Sequence, residues 1–258
     1  TLNLVAIPSD DEDWVAVAGY YDIAAGSIPF VVASEDGGSN FTYTNPVEDS
    51  SAVTAMVTMM DMAVSPAVGS VHNIALAGQG VIDGRGEGVR NNRYKITSFT
   101  HCRDISFTGL TLRDSAVWCS HFIECDHIWI EGIKIDSCVN PNNDGLDFDS
   151  CQNVFVCNCH LRCGDDAIAL KTNSARPCEN ITVTNCVLSS RWAAFRFGPE
   201  SRGNFENIAV SNCVIKDTYG CGTKLQMNEG AQMKNIVFSN LVMDNVTGPI
   251  SMRLANWQ

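Results

Sequence analysis

No run of 18 uncharged apolar residues occurs in the 258-residue chain, so neither a transmembrane helix nor a membrane partner is expected. Low-complexity tracts are missing too, which sets aside the compositionally disordered classes. Positive charge is scarce: 17 Lys and Arg stand against 29 Asp and Glu, a net charge of −12. The shortage is concentrated early. Residues 1–90 hold 12 acids and two bases, Arg85 and Arg90, for −10, which leaves −2 for the rest of the chain. Nucleic acid needs a positive face and is not an expected partner. The 3.6-residue periodicity of amphipathic helices is also absent. The chain begins Thr1-Leu2-Asn3, with neither an initiating Met nor a basic-plus-apolar leader. That start is expected of a secreted or periplasmic protein after signal removal, or of part of a longer chain.

What remains is the composition of a folded protein, 45% apolar and 18% charged, long enough for one elongated domain or two small ones. Twelve cysteines suggest disulfides or metal at first sight. Their placement favours instead the role of a small buried apolar residue.

That placement follows a repeat. From residue 71 one phrase recurs, beginning at Val71, Cys102, Cys125, Cys151, Cys178, Phe205 and Met233, with offsets of 31, 23, 26, 27, 27 and 28. It ends in Ile or Val and is followed by short alternating runs such as Ile181-Thr182-Val183. Cys159, Cys186 and Cys213 step by 27, as do Asn158, Asn185 and Asn212. Period-two runs mean strands with one buried face. A step of this length fits three short strands and three turns, so stacked coils follow: a single-stranded right-handed parallel β-helix in an all-β chain. The solenoid is expected over residues 71–258, with Cys159, Cys186 and Cys213 stacked and reduced. Residues 1–70 fall outside the repeat and read as an irregular cap or early coils. Within them Ile28 to Ala33 suggests a strand and Ser51 to Ala63 a helix.

Two consecutive coils carry unusual acids: Asn142-Asn143-Asp144-Gly145-Leu146-Asp147-Phe148-Asp149, then Gly164-Asp165-Asp166-Ala167-Ile168-Ala169-Leu170-Lys171. Asp144 precedes the Asp165–Asp166 pair by one short coil. Coils stack about 4.7–4.9 Å apart, so these carboxylates should crowd one patch. Crowding raises at least one pKa, which yields the protonated acid and ionised base that acetal cleavage needs. Turn aspartates of no chemical importance are the plainer alternative, since Asn, Asp and Gly favour turns.

The stretch from Val71 to Trp257 resembles glycoside hydrolase family 28, the polygalacturonase-like, pectin-degrading enzymes. The family's Asn-Thr-Asp-Gly motif is matched by Asn142-Asn143-Asp144-Gly145 and its Gly-Asp-Asp motif by Gly164-Asp165-Asp166, while Val81-Ile82-Asp83-Gly84 resembles an earlier family strand. The resemblance implies an inverting hydrolase acting on a polysaccharide, with no metal and no cofactor, and a monomer is expected. It implies Asp165 as general acid, with Asp144 and Asp166 holding and activating water. Inversion by direct attack calls for carboxyls roughly 6.5–9.5 Å apart. Two family motifs are altered. The His of Gly-His-Gly is replaced by Trp192, and Arg-Ile-Lys becomes Lys224-Leu225-Gln226. A rhamnogalacturonan-like or other mixed pectic substrate therefore fits better than plain polygalacturonan.

Strand phase indicates the groove. With Leu146, Phe148, Ile168, Leu170, Phe195 and Phe197 inward, Asp147, Lys171 and Arg196 point outward, and His121, Lys224 and Gln226 share that phase. A groove of His121, Lys171, Arg196 and Lys224 suits a partly anionic sugar chain, with Asn142 and Gln226 beside it and Trp192 stacking on a sugar face. Two rivals stand: a β-helical lyase recruiting Asp147, Asp149 and Lys171, and a catalytically silent glycan-binding solenoid.

Overall fold

The computed structural model describes residues 74–254 except 90 and 92, together with the backbone of strands Val5–Pro8, Val15–Ile23, Gly26–Ser34, Phe41–Thr44 and Met60–Ala63. No helix occurs among the described residues. From Ile74 onward each coil contributes a strand to three sheets in turn. The first sheet has seven parallel strands, from Ile74–Ala77 to Met233–Ser239, so seven coils stack. The second and third faces join into one 13-stranded sheet because the late strands Val214–Met227 and Val242–Leu254 run past the corner. Val214–Met227 pairs with Val187–Ser190 on one face and with Ala193–Ser201 on the other, and its pairing with Val242–Leu254 shifts register between Thr218 and Cys221. This is the right-handed parallel β-helix that the repeat predicts.

The recurring asparagines explain the corners. Asn153, Asn180, Asn207 and Asn235 have φ of 55–56°, and Asn158, Asn185, Asn212 and Asn240 have 50–56°. Asparagine tolerates this left-handed backbone better than most side chains. Stacked on the coil step, the amides bond one another: Asn180 Nδ2 donates to Asn153 Oδ1 (3.1 Å), Asn207 to Asn180 (3.1 Å) and Asn235 to Asn207 (2.9 Å).

Inside the coil the inward rows form ladders. Phe99, Phe122 and Phe148 stack with centroids 5.4 and 5.1 Å apart. Each such contact adds roughly 0.5–1.5 kcal/mol beyond area burial. Cys159, Cys186 and Cys213 lie in one buried column as free thiols, each donating to the carbonyl two residues before it. Cys102, Cys125, Cys151 and Cys178 form a second column, in line with Phe205.

One N-terminal expectation needs correction. Val5–Pro8, Val15–Ile23, Gly26–Ser34 and Phe41–Thr44 form an antiparallel sheet. Ile28 to Ala33 does lie in a strand. The helix expected over Ser51 to Ala63 is contradicted at its end, because Met60–Ala63 is a strand pairing in parallel with Thr97–Thr100. Residues 51–59 lie outside the described residues. Solenoid pairing thus reaches back to Met60, which agrees with early coils before residue 71. The helix expectation fails because so short a strand carries too little pattern to reveal its period.

Candidate active site

Coil geometry places the acids. Ser120, Leu146 and Ile168 are register partners in successive coils. Two residues before them stand Trp118, Asp144 and Asp166, at the corner where the chain passes from the second sheet to the third. The corner is tight. A Cβ on Gly145 would collide with the Ala167 carbonyl oxygen and lie 2.8 Å from Cys163 Sγ, so only glycine lets the two coils approach. Asn143 ties the loop down: its Nδ2 donates to the carbonyls of Ser115 and Val117, both at 2.8 Å, and its Oδ1 accepts from Asn140 N at 2.6 Å. Ser190 Oγ donates to the Asp165 carbonyl (2.6 Å) and accepts from Trp192 N (2.8 Å), joining the acid corner to the next coil.

The three aspartates come together: one oxygen from each of Asp144, Asp165 and Asp166 lies within 4.8 Å of the others. These are the nearest oxygens, and the expected span of roughly 6.5–9.5 Å refers to the carboxyl groups of acid and base. The oxygens meet because the acids occupy adjacent positions on adjacent coils. Asp144 and Asp166 are buried and Asp165 is the half-exposed member. Burial raises Asp144 far above the usual carboxylate range, with Asp147 adding to the rise and Lys171 opposing it. Burial also pushes Asp166 to about 7 against the pull of Arg196, while Asp165 is raised by burial and held back by Arg196. The cluster therefore retains a proton near neutrality, shared as a property of the group.

Cations flank it on both sides. Arg196 Nη1 donates to Asp166 Oδ2 at 2.9 Å, and Arg196 Nη2 to Gln226 Oε1 at 3.3 Å. Lys171 Nζ sits 2.7 Å from Asp147 Oδ1 and 3.7 Å from Asp144 Oδ2. The trio's oxygens are close enough to share a cation, yet these two side chains already compensate their charge.

The predicted phase holds: Leu146, Phe148, Ile168, Leu170, Phe195 and Phe197 are all fully buried. The expected open groove holds only in part. Trp192 is 47% exposed, Asn142 is exposed, and Arg196 and Lys224 are half-buried. Lys224 Nζ lies 4.4 Å from the Trp192 ring centroid. By contrast Lys171, His121 and Gln226 point outward yet are only 4–5% exposed, and Asp147 is fully buried. Side chains of neighbouring coils cover them. Trp118 lies over Lys171 with its centroid 3.7 Å from Nζ, and packs edge-on to His121. Lys95 Nζ donates to His121 Nδ1 at 2.7 Å, and burial, then Lys95 and Lys171, holds the imidazole neutral with a pKa of about 3.

Sequence reasoning overlooked Trp118 and Lys95, and it set Asp147 apart from the acids. The signal for Trp118 was available, since it stands one coil step before Asp144. Nothing in the sequence marks Lys95.

Comparisons bear on this site and this fold together. A polygalacturonase of Persea americana is 26% identical over 193 residues, 70% of this chain and 42% of that protein. A probable polygalacturonase of Vitis vinifera is 34% identical over 103 residues, 36% of this chain and 21% of that protein. The chain thus spans less than half the length of the curated relatives it matches. Among solved structures, a hyperthermoactive exopolygalacturonase from Thermotoga maritima superposes with a TM-score of 0.64 at 23% identity, over 72% of this chain and 54% of that one. Endo-xylogalacturonan hydrolase from Aspergillus tubingensis gives 0.58 at 16%, over 70% and 56%. The sequence profile of Glycosyl hydrolases family 28 matches residues 37–255, and the chain belongs to that family.

Proposed function

We propose that this chain carries the hydrolytic site of an enzyme that cleaves glycosidic bonds in a pectic polysaccharide, rhamnogalacturonan-like or polygalacturonan-like. The observation that carries the reading is the trio Asp144, Asp165 and Asp166, with oxygens within 4.8 Å and only Asp165 open to the groove. Asp165 gives its proton to the leaving glycosidic oxygen as the bond from the anomeric carbon breaks. Asp144 and Asp166 orient a water that bonds to that carbon, and one of them takes its proton. Inversion is supported by family membership, and direct attack by the water held between the acids is its chemical form. Arg196 and Lys224 offer cations to a partly anionic chain, Trp192 an aromatic face, and Asn142 an amide at the rim. Gln226 acts through Arg196. Cofactor and metal are not required by this reading, and the protein works as a secreted or periplasmic monomer.

The lyase reading is weaker for a physical reason. A lyase base must be neutral, but Asp147 and Asp144 hold the Lys171 ammonium above its ordinary pKa, against the opposing effect of burial. Asp149, the other recruit, is consumed by Asn173, whose N and Nδ2 donate to it at 2.8 and 2.6 Å. A silent solenoid would have no need of three crowded acids.

The test is Asp165→Asn, assayed on a panel of pectic polymers with product sizing. Asparagine keeps shape but delivers no proton, so turnover should fall by roughly 10²–10⁴ at unchanged melting temperature. A fully active variant overturns the assignment.

A further inference from the structure

Lys171 stands second to last in the strand Ile168–Thr172, pointing away from the core on the wall that should face substrate. Its surroundings do not suit a substrate contact. Charged and titratable groups meet it from every side: Asp144 and Asp147 from the preceding coil, Asp165 from its own, Glu200 from the next, and Lys95 and His121 beyond Trp118. The Trp118 ring closes over Nζ, and the side chain is 5% exposed. To reach a sugar carboxylate it would have to leave a fully buried aspartate at 2.7 Å and displace an indole. A buried ion that loses its partner is strongly disfavoured.

Asp144 is oriented by the same contact. Its Oδ2 faces Lys171 at 3.7 Å, while its Oδ1 is buried with no hydrogen-bond partner among the described residues. One oxygen is anchored, and the other can accept from water. We propose that Lys171 is a positioning residue of the hydrolytic site: clamped by Asp147 and covered by Trp118, it is the internal counter-ion that faces Asp144 and holds its carboxyl within the trio, and it does not bind substrate. This rests on the hydrolase reading above. It gives the Asp147–Lys171 pair a purpose that a surface groove lysine would not need.

The experiment measures kcat and KM against pH, beside thermal melting, for the wild type, Lys171→Met, Asp147→Asn and the double variant Lys171→Met/Asp147→Asn. The substrate is whichever pectic polymer the wild type cleaves. Loss of an opposite charge at this distance should move the acidic limb of kcat upward by about 1–3 pH units in Lys171→Met, with KM nearly unchanged. The double variant removes the buried pair as a unit, so its melting temperature should recover; because Asp147 raises the Asp144 pKa and Lys171 lowers it, the limb should return toward the wild-type position while kcat stays impaired. Lys171→Arg should keep the limb near the wild-type position.

Three results would overturn the proposal: an unmoved acidic limb in a folded Lys171→Met variant, a loss confined to KM, or a double variant with the wild-type rate. The last would mean that Lys171 only neutralises Asp147. If Lys171→Met does not fold, the double variant decides alone. Failure of the hydrolase reading is recognised separately, by an Asp165→Asn variant that stays active.

Discussion

Asp166→Asn should trade activity for stability in a way that depends on pH. Burial raises the Asp166 pKa from 3.8 to about 7. A carboxyl with a higher pKa in the folded state binds its proton more tightly there, so its contribution is fully present below pH 3.8 and is lost as pH rises through 7. The difference of about three pH units corresponds to about 4 kcal/mol lost between those limits. Asparagine, neutral at every pH, resembles the protonated acid. It forfeits one charge-assisted bond from Arg196, now 2.9 Å from Asp166 Oδ2, and keeps an acceptor for Ala193 N at 3.2 Å. Allowing roughly 1.5–3 kcal/mol for the charged bond, the variant should exceed the wild type by about 1–3 kcal/mol at pH 8. Near pH 4 the two should match. In a chain of this size that is a rise in melting temperature of roughly 2–10 °C at pH 8. Thermal melts at pH 4, 6 and 8 provide the assay, with turnover recorded alongside and expected to be impaired. A difference between variant and wild type that does not grow with pH would refute a raised Asp166 pKa, and with it the argument that burial tunes the trio.

The remaining expectations concern chemistry and specificity. Proton NMR of the first product should show the anomeric configuration opposite to that of the bond cleaved, and retention would remove Asp144 and Asp166 from the role of water activators. Plain polygalacturonate should be cleaved more slowly than a mixed or branched pectic polymer, if Trp192 and Lys224 replace the His and Arg of the family's motifs as the resemblance implies; faster cleavage of polygalacturonate would contradict this. Trp192→Ala should raise KM by about 5–10-fold with little change in kcat, from the loss of one aromatic contact worth about 1 kcal/mol. A change in kcat alone would instead place the indole nearer the reacting bond.

Counting along the chain was enough to establish the solenoid, because a regular step of one coil forces like side chains onto neighbouring coils. The columns of Cys159, Cys186 and Cys213 and of Asn153, Asn180 and Asn207 follow from that step. So does the proximity of Asp144 to Asp165 and Asp166, since the coil step sets the distance between stacked corners. The inward phase of Phe148 and Phe197 was legible for a similar reason: side chains alternate along a strand. Packing between coils, which no local pattern records, settled what outward meant. Phase says that Asp147 and Lys171 leave the core, but not that Trp118 from another coil lies over Lys171 and that the two form a buried ion pair in the groove wall. Lys95, contributed by a segment outside the alternating runs, reaches His121 only through the way the chain closes on itself. The protonation of the trio was likewise out of reach of pattern, because it depends on burial and on the positions of Arg196 and Lys171, which spacing along the chain does not encode.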